Sequence, residues 1–129
     1  AYREAGINAH LTPFIEDMAE AYGWADLVVC RAGALTIAEL AAAGVAALLV
    51  PFPFAVDDHQ TANARFLEQG GAAWIVQQAE LNPERLAATL RDALGDRPRL
   101  RVMAEAARHL AQIEAAEQVA QLCLQQARC

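Results

Sequence analysis

The sequence predicts an α/β fold built on a parallel sheet, and three observations carry that expectation. Three short apolar runs, Asp26–Cys30, Ala46–Phe52 and Ala72–Val76, have the length and composition of buried strands. Stretches with helical spacing separate them, so successive strands are joined by right-handed βαβ crossovers. The unusual polar residues gather in the turns that follow strands, where open α/β sheets receive ligands.

Ile7–Leu11 alternates like a short strand until Pro13 breaks it. Ile15–Ala25 has helical spacing through Ile15, Met18, Ala19 and Tyr22. After the first apolar run, Ala34–Ala43 reads as a helix closed by Gly44. After the second, stopped by Pro51 and Pro53, a helix is expected with Asp57 or Asp58 as N-cap and a Gly70-Gly71 stop. A further helix opens with Asn82 as N-cap and Pro83 at its first position. Two more are expected over Pro98–Leu110 and Glu114–Ala127, so residues 1–78 alternate strand and helix while 79–129 are helical.

Composition narrows the function classes. At 129 residues the chain is one domain or part of one. No apolar window has the length of a transmembrane helix, and the first residues do not read as a signal peptide. The 3 cysteines include no CxxC pair, which points to neither a disulfide framework nor a zinc site and fits a reducing compartment. A formal net charge of -6 argues against a nucleic-acid partner. The chain has no serine and no lysine, which excludes a serine nucleophile, a lysine Schiff base and a P-loop lysine within it. Its 10 basic residues are all arginine, a bias that a GC-rich genome explains.

Three turns converge at the expected ligand end: Thr12–Glu16, Arg31–Thr36 and Pro53–Gln60. In the second, Gly33 allows a tight turn and a close ligand, and the free amide groups around Ala34, Leu35 and Thr36 suit a phosphate. Glu39 lies one helical turn further on, on the same face as Leu35 and Thr36. Its carboxylate leans back toward the helix start and suits two ribose hydroxyls; a general preference of acids for a helix N-terminal half is the plainer alternative. In the third turn, His59 and Asn63 share a face by i,i+4 spacing, and with Gln60 they suit sugar hydroxyls. Ordinary capping by Asp57 or Asp58 is the alternative there. In the first, Phe14 beside a kink could stack on a flat base or belong to the core.

The remaining polar and aromatic residues read as structural. His10 is expected to be a core histidine, His109 to be solvated, and Trp24 and Trp74 to be core. Arg31 could meet a phosphate, but a structural ion pair with Asp26 or Glu39 is preferred. The basic cluster Asp96–Arg101 reads as a solvated loop, with a contact for anionic lipid as the alternative.

The stretch ADLVVCRAGALTIAELAAAGVAALLVPFPFAVDDHQTANARFLEQGGAAWIV, with PFIEDMAEAY before it, resembles one family. It is similar to the bacterial UDP-N-acetylglucosamine–N-acetylmuramyl-(pentapeptide) pyrophosphoryl-undecaprenol N-acetylglucosaminyltransferases, which make lipid II from lipid I in peptidoglycan synthesis. The resemblance covers nearly the whole chain and weakens after Gln78. It implies a Rossmann-like portion of the C-terminal, donor-binding domain of a two-domain GT-B glycosyltransferase. In that reading Phe14 lies against uracil and the backbone of Ile15 reads its edge. The turn from Gly33 through Ala34, Leu35 and Thr36 meets the diphosphate, Glu39 holds the ribose, and Gln60, with His59 and Asn63 near it, faces the N-acetylglucosamine. No metal or other cofactor is implied.

The same resemblance implies that the acceptor domain, the catalytic base and the membrane-facing patch lie outside this chain, which then holds no catalytic residue. The whole enzyme would sit peripherally on the cytoplasmic face of the bacterial inner membrane. By itself the chain is expected to transfer no sugar, to bind the donor weakly and to self-associate through an open sheet edge. A non-catalytic nucleotide-binding module of the same fold, or a fragment of a related UDP-sugar epimerase, are the alternative readings.

Overall fold

A computed structural model describes residues 1–54, 56–111 and 115–127. Its centre is a three-stranded parallel sheet of β1 (Leu27–Cys30), β2 (Ala46–Leu49) and β3 (Ala73–Ile75) in the order β1-β2-β3. Leu27 to Cys30 pair in register with Ala46 to Leu49, and Ala47 to Leu49 with Ala73 to Ile75. The helices are α1 (Met18–Trp24), α2 (Ala34–Ala43), α3 (His59–Gln69), α4 (Pro83–Leu94), α5 (Arg97–His109) and α6 (Ala115–Ala127). Crossover helices α2 and α3 join parallel neighbours, as the strand spacing requires.

Only β2, with a neighbour on each side, is buried at all four residues. Val29 on the edge strand β1 is exposed. Ala47 and Leu49 belong to a core cluster with Ile37, Leu40, Ala64 and Leu67 from α2 and α3. Ala46, on the alternate side of the pleat, joins Ala93, Leu100 and Met103 from α4 and α5. The sheet is thus covered on both faces, the setting in which a strand is apolar at every position.

Local chemistry sets the helix ends. Asp17, Asn82 and Asp96 cap α1, α4 and α5 by accepting from the backbone N–H three residues on, at 2.9, 2.8 and 3.1 Å. Gly44 ends α2 at φ 68°, a left-handed conformation that explains a glycine there, and its N–H donates to Leu40 and Ala41 carbonyls. Gly71 takes φ 79° on the way into β3.

Several expectations are corrected. Ile7–Leu11 is no strand: residues 1–17 are exposed, and local turns, not a ladder, hold residues 1–7. Alternation alone does not make a strand, and these residues pair with no strand of the sheet. Helix α1 starts at Met18 because Asp17 caps it, leaving Ile15 outside. His10 is exposed in this segment, and Trp24 is 86% exposed at the end of α1, so neither is core. Asp96–Arg101 is not a loop but the cap and first turn of α5. Its arginines are engaged: Arg97 pairs with Asp26 at 3.6 Å, Arg101 with Glu105 at 3.3 Å, and Arg99 lies 4.9 Å from the centre of the half-buried Trp74 ring. His109 is exposed at the end of α5, as expected. The expected start of the last helix at Glu114 lies outside the described residues.

Candidate functional site

The turns after β1 and β2 meet beyond the carboxyl ends of the strands, and α3 stitches them together. Gln60 Oε1 accepts from the backbone N–H of Ala32 at 3.1 Å and of Phe52 at 2.9 Å. Asn63 Nδ2 donates to the Ala32 carbonyl at 3.1 Å. Both backbone groups of Ala32, a fully buried residue, are therefore satisfied by side chains one helical turn apart on α3. The sequence marks Gln60 and Asn63 only as polar residues opening a helix beside two turns; that they serve the backbone of Ala32 is set by the tertiary fold.

The stitch presents the start of α2. Gly33 is its N-cap at φ -63°, ψ 149°, angles open to any residue, so conformational freedom does not explain the glycine. What it contributes is the missing side chain: no side-chain bond caps α2, and a Cβ there would find Thr36 Oγ1 no closer than 3.9 Å. The first amide groups of α2 stay open beside the positive end of the helix dipole, an arrangement that receives anions. Ala34 and Leu35 are exposed, and Thr36 is half-buried.

Glu39 is half-buried on α2, and its carboxylate has a partner: Oε2 accepts from the Tyr22 hydroxyl at 3.1 Å. The residue separates two hollows. One, of about 560 Å³ between α2 and α3, is lined by Ala34, Ile37, Asn63, Phe66 and Leu110 as well as Glu39. The other, of about 390 Å³, lies between α1 and α2 beside Met18, Tyr22 and Ala43. The larger is walled mostly by methyl groups and aliphatic chains, so its polar chemistry is confined to Glu39 and Asn63.

Arg31 makes neither expected ion pair. Its Nη1 donates to the carbonyls of Val50 and Pro51, both at 3.4 Å, and its guanidinium sits 5.7 Å from the Phe52 ring centre. Asp26 pairs with Arg97 instead, and Glu39 with Tyr22. Phe52 and Phe54 pack edge to face at 5.6 Å between ring centres. In the turn before α3, Asp57 and Asp58 take φ 53° and 51°. Asp58 occupies the N-cap position without a side-chain capping bond, so the ordinary capping alternative is not what the turn does. His59 is exposed. Phe14 is 75% exposed, which removes the core alternative for it, and Ile15 beside it is exposed too. The structure thus joins the α2 start, Glu39, Gln60 and Asn63 through shared hollows and hydrogen bonds; Phe14, Ile15 and His59 lie outside that set among the described residues.

Two groups near the site, the buried Tyr22 and the half-buried Cys30, are pushed above their ordinary pKa values. Burial first, then the hydrogen bond and negative charge of Glu39, push the Tyr22 phenol from 10.0 up to about 12. Burial pushes the Cys30 thiol from 9.0 up to about 11. Both are held neutral when folded, so their contribution is complete below the unfolded values and is lost as pH rises through the folded ones. Stability is therefore expected to fall from about pH 9 toward about pH 12. Denaturant titrations across that window check this, and a flat profile contradicts it. Cys30 is also expected to react with thiol reagents more slowly than the exposed Cys123 at neutral pH.

The fold defines a class: an α/β domain that receives ligands at the carboxyl ends of parallel strands. Residues 1–122 match the model of the glycosyltransferase family 28 C-terminal domain, and the chain belongs to that family. A relative from Marinobacter nauticus, named UDP-N-acetylglucosamine--N-acetylmuramyl-(pentapeptide) pyrophosphoryl-undecaprenol N-acetylglucosamine transferase, is 61% identical over 98% of this chain and 35% of its own length. A protein of the same name from Methylococcus capsulatus is 56% identical over 98% of this chain and 36% of its own. The crystal structure of MurG from Acinetobacter baumannii superposes with a TM-score of 0.83 at 54% identity, covering 92% of this chain and 34% of that one. The chain thus spans about a third of the length of these relatives.

Proposed function

We propose that this chain is the donor-binding part of a longer N-acetylglucosaminyltransferase that moves N-acetylglucosamine from UDP to the undecaprenyl-pyrophosphoryl-N-acetylmuramyl-pentapeptide lipid. The observation that carries this reading is the meeting of an uncapped α2 start, the carboxylate of Glu39 and the side chains of Gln60 and Asn63 at the ligand end of the sheet. The 61% identity to a transferase of that name supports the choice of donor and acceptor.

In this reading the diphosphate lies against the amide groups of Gly33, Ala34, Leu35 and Thr36. Negative charge grows on that diphosphate as the sugar leaves, so open N–H groups and the helix dipole stabilise it without a metal. Glu39 accepts from the ribose hydroxyls through lone pairs that Tyr22 does not use. Phe14, exposed and unclaimed by the core, offers a face to uracil, with the Ile15 backbone at its edge. His59 and the Nε2 group of Gln60 are the donors on the sugar side. Gln60 Oε1 is engaged with Ala32 and Phe52, so its part toward the sugar is that of a donor. Asn63, bonded to Ala32, supports the turn and offers its Oδ1. The acceptor lipid and a membrane surface on the cytoplasmic side are met by the rest of the protein.

Titration calorimetry on the full-length protein tests this. UDP-N-acetylglucosamine is expected to bind, and UDP to compete for the site while GDP and ADP do not. Absence of binding, or equal competition by all three nucleotides, would overturn the assignment.

A further inference from the structure

We propose that Tyr22 is a positioning residue for Glu39: its hydroxyl clamps one carboxylate oxygen so that the other is presented to the ligand. The inference rests on the ribose assignment of Glu39 and extends it to a residue on a different helix. Tyr22 stands on α1, seventeen positions before Glu39, and is only 9% exposed. Its ring is anchored in the core cluster with Ile37, Leu40 and Ala41, so the hydroxyl has little freedom to move. That hydroxyl donates to Oε2 at 3.1 Å. Among the described residues no arginine or histidine forms an ion pair with Glu39.

The chemistry of this partner matters. An arginine would take both carboxylate oxygens in a bidentate fork and neutralise the charge. A phenol gives one hydrogen bond, so Oε1 keeps both lone pairs and the carboxylate keeps its charge. A phenol is protonated, and therefore a donor, at physiological pH, and burial beside Glu39 pushes its titration higher still. An unclamped glutamate on a helix surface samples several rotamers, and ordering it on binding would cost affinity. The clamp places that ordering in the folded protein before the ligand arrives.

The test uses full-length protein with three variants, Tyr22→Phe, Glu39→Ala and the two combined, each titrated with UDP and with 2′,3′-dideoxy-UDP. Phenylalanine keeps the ring in the core and removes only the hydroxyl. Tyr22→Phe is expected to weaken UDP by about three- to tenfold, the scale of one hydrogen bond, and the dideoxy analogue by less than about twofold. The double variant is expected to bind UDP like Glu39→Ala alone, because the clamp acts only through that carboxylate. Equal losses for both ligands, no loss for either, or additive losses in the double variant would overturn the positioning role. Those results leave the ribose assignment standing if Glu39→Ala still discriminates the two ligands. If Glu39→Ala weakens both equally, the ribose assignment fails and the positioning role fails with it.

Discussion

Gln60→Ala is expected to destabilise the junction between the two strand-to-helix turns by about 2–4 kcal/mol, because it strands two backbone donors at once. Ala32 N–H and Phe52 N–H both donate to Gln60 Oε1, at 3.1 and 2.9 Å. Ala32 is fully buried, so water does not replace the lost acceptor there, while Phe52 is 41% exposed and recovers part of its loss. The loss should appear locally, as faster amide hydrogen exchange at Ala32 and at the start of α2. Gln60→Glu separates this from any role toward a sugar. It keeps the oxygen that accepts from both amides and removes the Nε2 donor. Restored protection with weaker UDP-N-acetylglucosamine binding but unchanged UDP binding would assign Gln60 both roles. Unchanged protection in Gln60→Ala would show that the stitch does not hold the turns.

Glu39→Ala in the full-length protein is expected to weaken UDP binding by about 1.5–3 kcal/mol, the range for hydrogen bonds to a charged group. That corresponds to about tenfold to somewhat over a hundredfold in affinity. Folding should suffer little, since Glu39 is half-buried and pairs with no cation among the described residues. What it leaves without its partner is the Tyr22 hydroxyl, one neutral group at the edge of a hollow that admits water. The loss should shrink for 2′,3′-dideoxy-UDP, which has no ribose hydroxyls to offer. A variant that binds both nucleotides as the unaltered protein does would remove Glu39 from the site.

Much of the fold is legible in the sequence where the signal is local. Helix α2 runs from Ala34 to Ala43 as expected, and a left-handed glycine, Gly44, ends it. Asn82 and Pro83 open α4 as their chemistry dictates. The three strands fall within the three apolar runs, although each is shorter than its run. Pairing with a neighbour, and not hydrophobicity, decides where a strand stops. The same rule explains Ile7–Leu11, whose alternation pairs with no strand of the sheet; Trp24, likewise, is a large apolar ring that finds no cover at the end of α1.

The candidate site divides along the same line. The residue types and their spacing mark which turns matter: a glycine before a helix, a lone acid inside it, and amides opening the next helix. Only the tertiary structure decides what each side chain touches. It turns Gln60 and Asn63 toward the backbone of Ala32, sends Arg31 to the Val50 and Pro51 carbonyls, and brings Tyr22 to Glu39 across two helices. Helical spacing relates residues three or four apart, whereas these bonds join residues 17 to 31 apart. Such contacts follow from how α1 packs on α2 and α2 on α3 above the sheet, and packing is a property of the whole chain that no short window of sequence contains.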